Sequence, residues 1–179
     1  DIVNVDVTAV VDEHYGDTSR MFSIGETTVK AKNLIDITYQ SMIRAIKILK
    51  PGTKLGDIGH EIQSHVEENG FSVVRDFCGH GISTKFHEPP NILHYGKKNT
   101  GIELMPGMTF TIEPMINIGK YEVKVLGDGW TAVTKDKSLS AQFEHTVGVT
   151  EDGFEIFTKS DKNFTQPPYL QWLKDIQEN

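Results

Sequence analysis

The chain has 179 residues, 37% hydrophobic and 24% charged, so it can bury one substantial core, and we expect one domain or at most two small ones. Its formal net charge of −7 leaves no basic surface for nucleic acid, and no segment is apolar for long enough to cross a bilayer. A single cysteine, Cys78, excludes an internal disulfide, so we expect a soluble cytoplasmic protein with no nucleic-acid or membrane partner.

The first predicted element is a hairpin. Its first strand alternates, with Val3, Val5, Val7, Ala9 and Val11 on one face and Asn4, Asp6 and Thr8 on the other. This pattern predicts that the valine face meets a core. Asp12-Glu13 favours a turn, and residues 15–24 can return as the second strand. With the turn centred between positions 11 and 12, Asp6 lies opposite Asp17, so both carboxylates point the same way.

Two amphipathic helices are predicted next. The first runs from about Thr27 to Leu49, with Thr27 or Thr28 as its N-cap and Pro51-Gly52 as its stop. The second runs from about Lys54 to Asn69 and ends at Gly70, the residue type that best tolerates a left-handed cap. The apolar positions are Ala31, Leu34, Ile35, Met42, Ile46 and Leu49 in the first helix and Leu55, Ile58, Ile62 and Val66 in the second.

Short strands and glycine-rich loops are expected from residue 71 to about 157. Two of these strands each point one acid away from their apolar side. In residues 108–115, Thr109, Thr111 and Glu113 oppose Phe110 and Ile112; in residues 140–149, Ser140, Gln142, Glu144 and Thr146 oppose Phe143, Val147 and Val149. The remaining segment, 159–179, is polar, is broken by Pro167-Pro168 and ends in a short amphipathic run, so we expect it to be peripheral.

Four carboxylates and one imidazole form a candidate metal site: Asp6, Asp17, His80, Glu113 and Glu144. Acids that cluster on the inner face of a sheet repel one another unless cations offset their charge. This ligand set suits a pair of divalent ions such as Mn²⁺, Co²⁺, Fe²⁺ or Zn²⁺, which can activate water and polarise the carbonyl that it attacks. Taken singly, each acid could equally face solvent. The joint pattern over three strands favours a two-metal hydrolase.

The seven histidines are interpreted differently from one another. Glycines flank His80 and let the backbone approach a ligand closely. His87 follows at an odd separation, which on an extended chain would put it on the opposite face, so we expect the loop to bend if both serve one site. The others, His14, His60, His65, His94 and His145, are interpreted as structural or solvent-facing. Cys78 is interpreted as a small packing residue beside the site, since no Cys/His/Asn pattern accompanies it.

Six motifs together are highly specific. They are IVNVDVT at 2–8, YGDTS at 15–19, CGHGI at 78–82, FHEP at 86–89, FTIEPM at 110–115 and SLSAQFEHT at 138–146. With them the chain resembles the type I methionine aminopeptidases of bacteria and organelles, from Asp1 to about Tyr169. The short interval between Glu113 and Glu144 leaves no room for the long helical insertion typical of type II enzymes.

The resemblance implies an α+β architecture, the pita-bread fold, in which helices back a curved, mostly antiparallel sheet. It implies a catalytic domain over residues 1–169, a tail over 170–179, and a monomer when complete. The implied reaction is metal-dependent removal of the N-terminal methionine from nascent polypeptides whose second residue is small.

The resemblance also implies roles for individual residues. Asp17 and Glu144 would bridge two divalent ions, Asp6 would chelate one, and His80 and Glu113 would complete the other. Glu113 would also exchange protons with the attacking water. On the substrate side, His87 would hydrogen-bond the scissile carbonyl or the tetrahedral intermediate, Phe86 and Trp130 would wall the methionine pocket, Cys78 would lie beside it, and Ser140 would contribute to a monovalent-cation site.

The chain departs from the family at two places. Ser83-Thr84-Lys85 follows Ile82 where the family commonly reads Gly-Arg, and we expect this change to adjust substrate contacts and to leave metal binding intact. Family members also carry an upstream segment with a proton-shuttling histidine, pocket residues and the first helices. This chain opens inside a strand, without an initiator methionine or a targeting peptide, so we expect that further residues precede it. We expect the 179-residue piece alone to be inactive. Its exposed sheet edge should favour aggregation.

Two alternatives share part of this pattern. A proline-directed aminopeptidase or prolidase has the same ligands, although such relatives usually carry additional histidines and a large N-terminal domain. A catalytically silent pita-bread module would bind protein partners, but such modules typically lose metal ligands and this chain keeps all five.

Overall fold

The computed structural model describes residues 1–160 and Pro167. In these residues the elements are β1 (Ile2–Val11), β2 (His14–Ser23), α1 (Val29–Lys47), α2 (Leu55–Glu68), β3 (Ser72–Val73), β4 (Gly79–Gly81), β5 (Glu88–Ile92), β6 (Thr109–Ile112), β7 (Met115–Asn117), β8 (Val123–Val125), β9 (Ala132–Thr134), β10 (Ser140–Gln142), β11 (Glu144–Val149) and β12 (Phe154–Ile156). Neither of these helices has the length and apolar character to span a membrane. The predicted tail and the domain boundary at residues 169–170 lie outside the described residues.

The strands form three antiparallel sheets. The largest has the order β1-β2-β11-β6-β4-β5, with β12 pairing with β11. A three-stranded sheet has the order β10-β7-β3, and β8 pairs with β9 in a separate hairpin. Helix α1 packs against α2, β10, β7 and β6, whereas α2 packs against β3 and β5. The buried core therefore lies between the two helices and the middle of the sheets.

Both predicted helices are confirmed, with their ends. Thr28 is the N-cap of α1, and its hydroxyl accepts a hydrogen bond from the Ala31 backbone N–H at 3.2 Å. Helix α2 ends at the C-cap Asn69, and Gly70 follows with a φ of +76°. The apolar stripes of both helices are buried, as their spacing predicts, except that Leu55 is only partly buried.

The predicted hairpin is present, but its predicted register was wrong. Asp6 pairs with Ser19, and Asp17 pairs with Thr8. The reason is the turn: Asp12 and Glu13 both have positive φ, 47° and 64°, so they form a two-residue turn of the kind that joins twisted strands. A slip of two residues keeps the side-chain faces, so the two carboxylates still share one face.

The expectation that the valine face of β1 meets a core was also wrong. Val3, Val5 and Val7 are 43%, 48% and 54% exposed. Strand β1 lies at the end of the sheet, and both helices pack elsewhere. A cavity of about 780 Å³ opens on this face, lined by Val7, Val11 and Phe157 among others.

Both of the later predicted strands are interrupted, the first at two residues and the second at one. Residues 108–115 divide into β6 and β7, with Glu113-Pro114 between them, and residues 140–149 divide into β10 and β11 at Phe143. Proline has no N–H to donate to a ladder, which accounts for the first interruption. The interruption lets one length of chain serve two sheets, and it falls beside a predicted metal ligand.

Candidate metal centre

Three predicted ligands form a close cluster. One ligand atom from each of Asp17, His80 and Glu144 lies within 4.8 Å of the others. They come from β2, β4 and β11, which are neighbours or near neighbours in the large sheet. All three side chains are buried. Separate strands thus bring two carboxylates and one imidazole to one place.

The other two predicted ligands adjoin this cluster. Glu113 Oε1 lies 3.6 Å from His80 Nε2. Asp6 lies on β1, on the same face as Asp17, and burial together with the negative charge of Asp17 raises the pKa of its carboxyl. The structure therefore brings all five predicted ligands to one region of the sheet.

Hydroxyl groups hold Asp17 in position. Thr8 Oγ1 donates to Asp17 Oδ1 at 2.9 Å. Thr146 Oγ1 accepts from the Asp17 backbone N–H and donates to the Asp17 carbonyl, both at 2.8 Å. These contacts fix the backbone and one carboxylate oxygen, which leaves the second oxygen for another partner.

The hydrogen bonds of His80 determine which ring nitrogen can bind a cation. Its Nδ1 lies 3.0 Å from the Gly81 carbonyl oxygen, which can only accept, so Nδ1 carries the proton in the neutral ring. Burial lowers the pKa of His80 and favours this neutral form. Nε2 is then an unprotonated donor atom directed at the acids, the arrangement usual for a metal-ligating histidine.

The acids carry more negative charge than the described protein can neutralise. Burial and the nearby carboxylates raise the pKa of Glu113 to about 7 and that of Glu144 to about 10. Within residues 1–160, no lysine or arginine lies within ion-pair distance of these carboxylates. Buried carboxylates are costly unless a cation or proton compensates them. The donor set of carboxylate oxygens and one imidazole nitrogen fits divalent transition-metal ions.

Aromatic and histidine rings line one side of the cluster. The loop after β4 bends as expected, so the ring centroids of His80 and His87 are 4.3 Å apart. Phe86 contacts both, and its ring stacks on Tyr15 at 5.5 Å. His87 is exposed and Phe86 is half-buried, so this side of the site is accessible.

The remaining predicted site residues, Cys78, Ser140 and Trp130, have different surroundings. Cys78 is half-buried, and burial and the Glu113 charge raise the pKa of its thiol. Ser140 Oγ donates to the Ile116 carbonyl at 3.2 Å. Trp130 lies between β8 and β9 with 89% of its surface exposed, and no ring contact joins it to Phe86 in the described part of the chain. Its role in the pocket stays a prediction.

The sequence interpretation missed several residues that support the cluster. Thr8, Thr111, Gln142 and Thr146 contact the predicted ligands. Strand alternation had placed them on the acid-bearing faces, so the signal was available. His94 was interpreted as an ordinary loop histidine, but its ring is buried and Nε2 accepts a hydrogen bond from the Glu113 backbone N–H at 3.1 Å. Burial alone lowers the pKa of His94 to about 3.

Comparisons with known proteins agree with this geometry. Residues 1–151 match the Peptidase_M24 model, described as metallopeptidase family M24. Methionine aminopeptidase of Rickettsia prowazekii (strain Madrid E) is 57% identical over 170 residues, which cover 94% of this chain and 66% of that protein. The chain therefore spans just under two thirds of the length of this curated relative.

Solved structures share the fold. The crystal structure of methionine aminopeptidase from Rickettsia prowazekii has a TM-score of 0.87 at 57% identity, over 88% of this chain and 64% of that one. Prolidase from Pyrococcus furiosus has a TM-score of 0.71 at 25% identity, over 89% and 42%. The predicted pita-bread fold, a curved antiparallel sheet with helices, is confirmed.

Proposed function

The chain belongs to metallopeptidase family M24, and on this premise we propose that it is the metal-binding part of a type I methionine aminopeptidase. The reaction is hydrolysis of the peptide bond that follows the N-terminal methionine of a nascent polypeptide with a small second residue. Water supplies a hydroxyl to the carbonyl carbon and a proton to the departing amine. Identity of 57% to an aminopeptidase, against 25% to a prolidase, favours methionine over a proline-directed substrate.

One observation carries the proposal: Asp17, His80 and Glu144 offer ligand atoms within 4.8 Å of one another, and two further acids adjoin them. A structural cluster of this kind would need a lysine, an arginine or bound protons to offset its charge, and residues 1–160 provide no lysine or arginine within ion-pair distance. Two divalent ions would supply the missing positive charge, and when bound they supply a water-derived nucleophile and polarisation of the scissile carbonyl.

We assign the ligands as follows. Asp17 and Glu144 would hold both ions, Asp6 would hold one of them, and His80 and Glu113 would hold the other. The ions are drawn from Mn²⁺, Co²⁺, Fe²⁺ and Zn²⁺, which all accept these donors. Ser140 would contribute to a separate monovalent-cation site. Binding of divalent ions would favour the charged forms of Glu113 and Glu144, because a cation favours the carboxylate.

The chain's own residues then act on the peptide and on protons. Glu113, with a pKa near neutrality before metal binding, can take a proton from the attacking water and pass it to the leaving amine. His87 lies on the accessible side, 4.3 Å from His80 between ring centroids, where it can donate a hydrogen bond to the carbonyl oxygen as that oxygen gains charge. Phe86, Cys78 and Trp130 would contact the methionine side chain.

The cellular setting is also a proposal. A cytoplasmic monomer fits a substrate that emerges from the ribosome, and the single thiol suits a reducing compartment. Residues 1–169 would form the catalytic domain and residues 170–179 a tail. Further pocket residues and a proton-shuttling histidine would come from a segment outside this sequence.

The experiment that tests this function uses the intact protein that contains residues 1–179. We expect release of methionine from Met-Gly and Met-Ala peptides with Mn²⁺ or Co²⁺, and little release when the second residue is bulky. Xaa-Pro peptides should be poor substrates. Activity on Xaa-Pro bonds alone would replace the proposal by the proline-directed alternative.

Calorimetric titration with Mn²⁺ separates an enzyme from a silent binding module. Wild-type protein should bind two ions, and Asp6→Ala should weaken one of them. If wild type and Asp6→Ala both fail to bind, the silent module is the better description of the protein.

A further inference from the structure

His94 has a buried side chain and lies in the loop that follows β5. Its Nε2 atom is 3.1 Å from the Glu113 backbone nitrogen, and that N–H donates to it. Glu113 lies in the gap between β6 and β7, and the next residue, Pro114, has no N–H. The ring of His94 thus accepts a hydrogen bond from a backbone N–H that has no partner in the interrupted strand ladder.

The side chain of Glu113 is held as firmly as its backbone. Thr111 Oγ1 donates to Glu113 Oε1 at 2.8 Å, and Gln142 Nε2 donates to Oε2 at 3.3 Å. These two contacts fix the carboxylate, but neither contacts the main chain at the interruption. The direction in which the carboxylate leaves the chain therefore depends on the contact from His94.

We propose that His94 is a positioning residue for Glu113: its unprotonated Nε2 holds the strand interruption so that the carboxylate faces His80. This inference rests on the proposed function, in which Glu113 is a metal ligand. The essential property is a hydrogen-bond acceptor at the tip of a buried side chain. An amide oxygen can supply it at similar reach, whereas an apolar side chain of similar volume cannot.

The test compares His94→Leu with His94→Gln in the intact protein. We expect His94→Leu to weaken Mn²⁺ binding at one of the two sites by about 10–100-fold, the usual cost of losing a group that orients a ligand. His94→Gln should bind within about threefold of wild type, because it keeps an acceptor. In peptide hydrolysis, His94→Leu should lower kcat and leave KM unchanged, since His94 is not placed to contact the substrate.

His145→Leu is the matched control. His145 is also a buried histidine beside a proposed ligand, but its Nδ1 contacts Thr158 Oγ1 on the opposite face of β11. We expect this variant to keep both Mn²⁺ affinities. Equal weakening in His94→Leu, His94→Gln and His145→Leu would mean a general effect of packing and would overturn the inference.

A second measurement does not depend on a variant that folds. Long-range ¹H–¹⁵N spectra of the wild-type protein report which ring nitrogen of His94 carries the proton. A proton on Nδ1 supports the inference, and a proton on Nε2 overturns it. Wild type that binds two Mn²⁺ ions while His94→Leu binds them equally well also overturns it and leaves the proposed function standing. Wild type that binds no Mn²⁺ ends both.

Discussion

The two faces of the β1–β2 hairpin reverse the usual distribution of residue types. On the face that carries the acids, Asp17 and Ser19 are 5% and 1% exposed. On the other face, the valines of β1 are about half exposed. Alternation in a sequence therefore identifies two faces, but it does not say which face the rest of the protein covers. Here the polar face is buried along β2, although Asp6 and Thr8 on the edge strand β1 are exposed. Cations would account for the burial of the β2 residues.

The largest expected effect comes from removing a carboxylate from the buried polar face. Glu144→Gln should abolish binding of at least one Mn²⁺ ion and lower peptide hydrolysis by about 10³-fold or more, because metal activation supplies several kcal/mol. Glu155→Gln, an exposed acid on the neighbouring strand β12, should change neither. Calorimetry and an initial-rate assay measure both effects. Normal metal binding by Glu144→Gln would show that metal binding does not explain why this acid is buried.

The stability of the metal-free protein should depend on pH. The pKa of Glu144 is near 4.5 in the unfolded chain and is raised to about 10 in the folded state. At any pH between these two values, the folded protein binds more protons than the unfolded chain. Its stability must fall as pH rises. We expect a loss of about 2 kcal/mol from pH 7 to pH 9.

Urea unfolding at several pH values, after chelation of metals, measures this loss. Glu144→Gln should flatten the slope because glutamine does not titrate. Excess Mn²⁺ should raise the stability of wild type most at high pH, where the ligands give up their protons readily. A wild-type stability that rises from pH 7 to pH 9 would contradict the expected burial cost.

A smaller effect is expected from the hydroxyl groups of the same face. Thr146→Val removes both contacts to the Asp17 backbone and leaves a buried N–H without its partner, at a cost of about 1–2 kcal/mol. Ser19→Ala is the matched control, because the Ser19 hydroxyl is buried and has no hydrogen-bond partner in the described structure. It should cost less than about 0.5 kcal/mol. Chemical unfolding of both variants measures these costs. Equal losses in the free energy of unfolding would show that the hydrogen bonds of Thr146 contribute nothing specific.

The smallest effect is expected on the valine face. Val5→Thr and Val7→Thr keep β-branched side chains on exposed positions, so each should change the free energy of unfolding by less than about 0.5 kcal/mol. Their effect should be on association, since less apolar surface remains exposed. Light scattering at increasing protein concentration measures it. A loss of several kcal/mol would mean that this face is covered in the folded protein.

Much of the fold could be predicted because its signals are local. The spacing of apolar residues located α1 and α2, and capping chemistry narrowed the N-cap of α1 to Thr27 or Thr28 and placed Gly70 at the end of α2. The acid positions followed from strand parity. Parity survives an error of two residues, which is why Asp6 and Asp17 share a face although their predicted pairing was wrong.

The rest depends on neighbours that are distant in sequence. The exposure of Val5 follows from the place of β1 at the end of the sheet, which no residue near it specifies. The contact between His94 and Glu113 joins two loops through the fold, and nothing in the sequence around His94 indicates it. Whether Trp130 reaches the pocket is likewise a long-range question, and its position between β8 and β9 leaves it a prediction.

The turn at Asp12 and Glu13 constrains how this sequence can change. Because the turn has two residues, it fixes the face of the sheet on which each side chain of β1 lies. One residue inserted between Asp6 and the turn would carry that carboxylate to the valine side, whereas two inserted residues would return it to the side of Asp17. Insertions or deletions in this hairpin should therefore be tolerated when they involve an even number of residues. Such changes keep the Asp6 side chain on the face that carries Asp17.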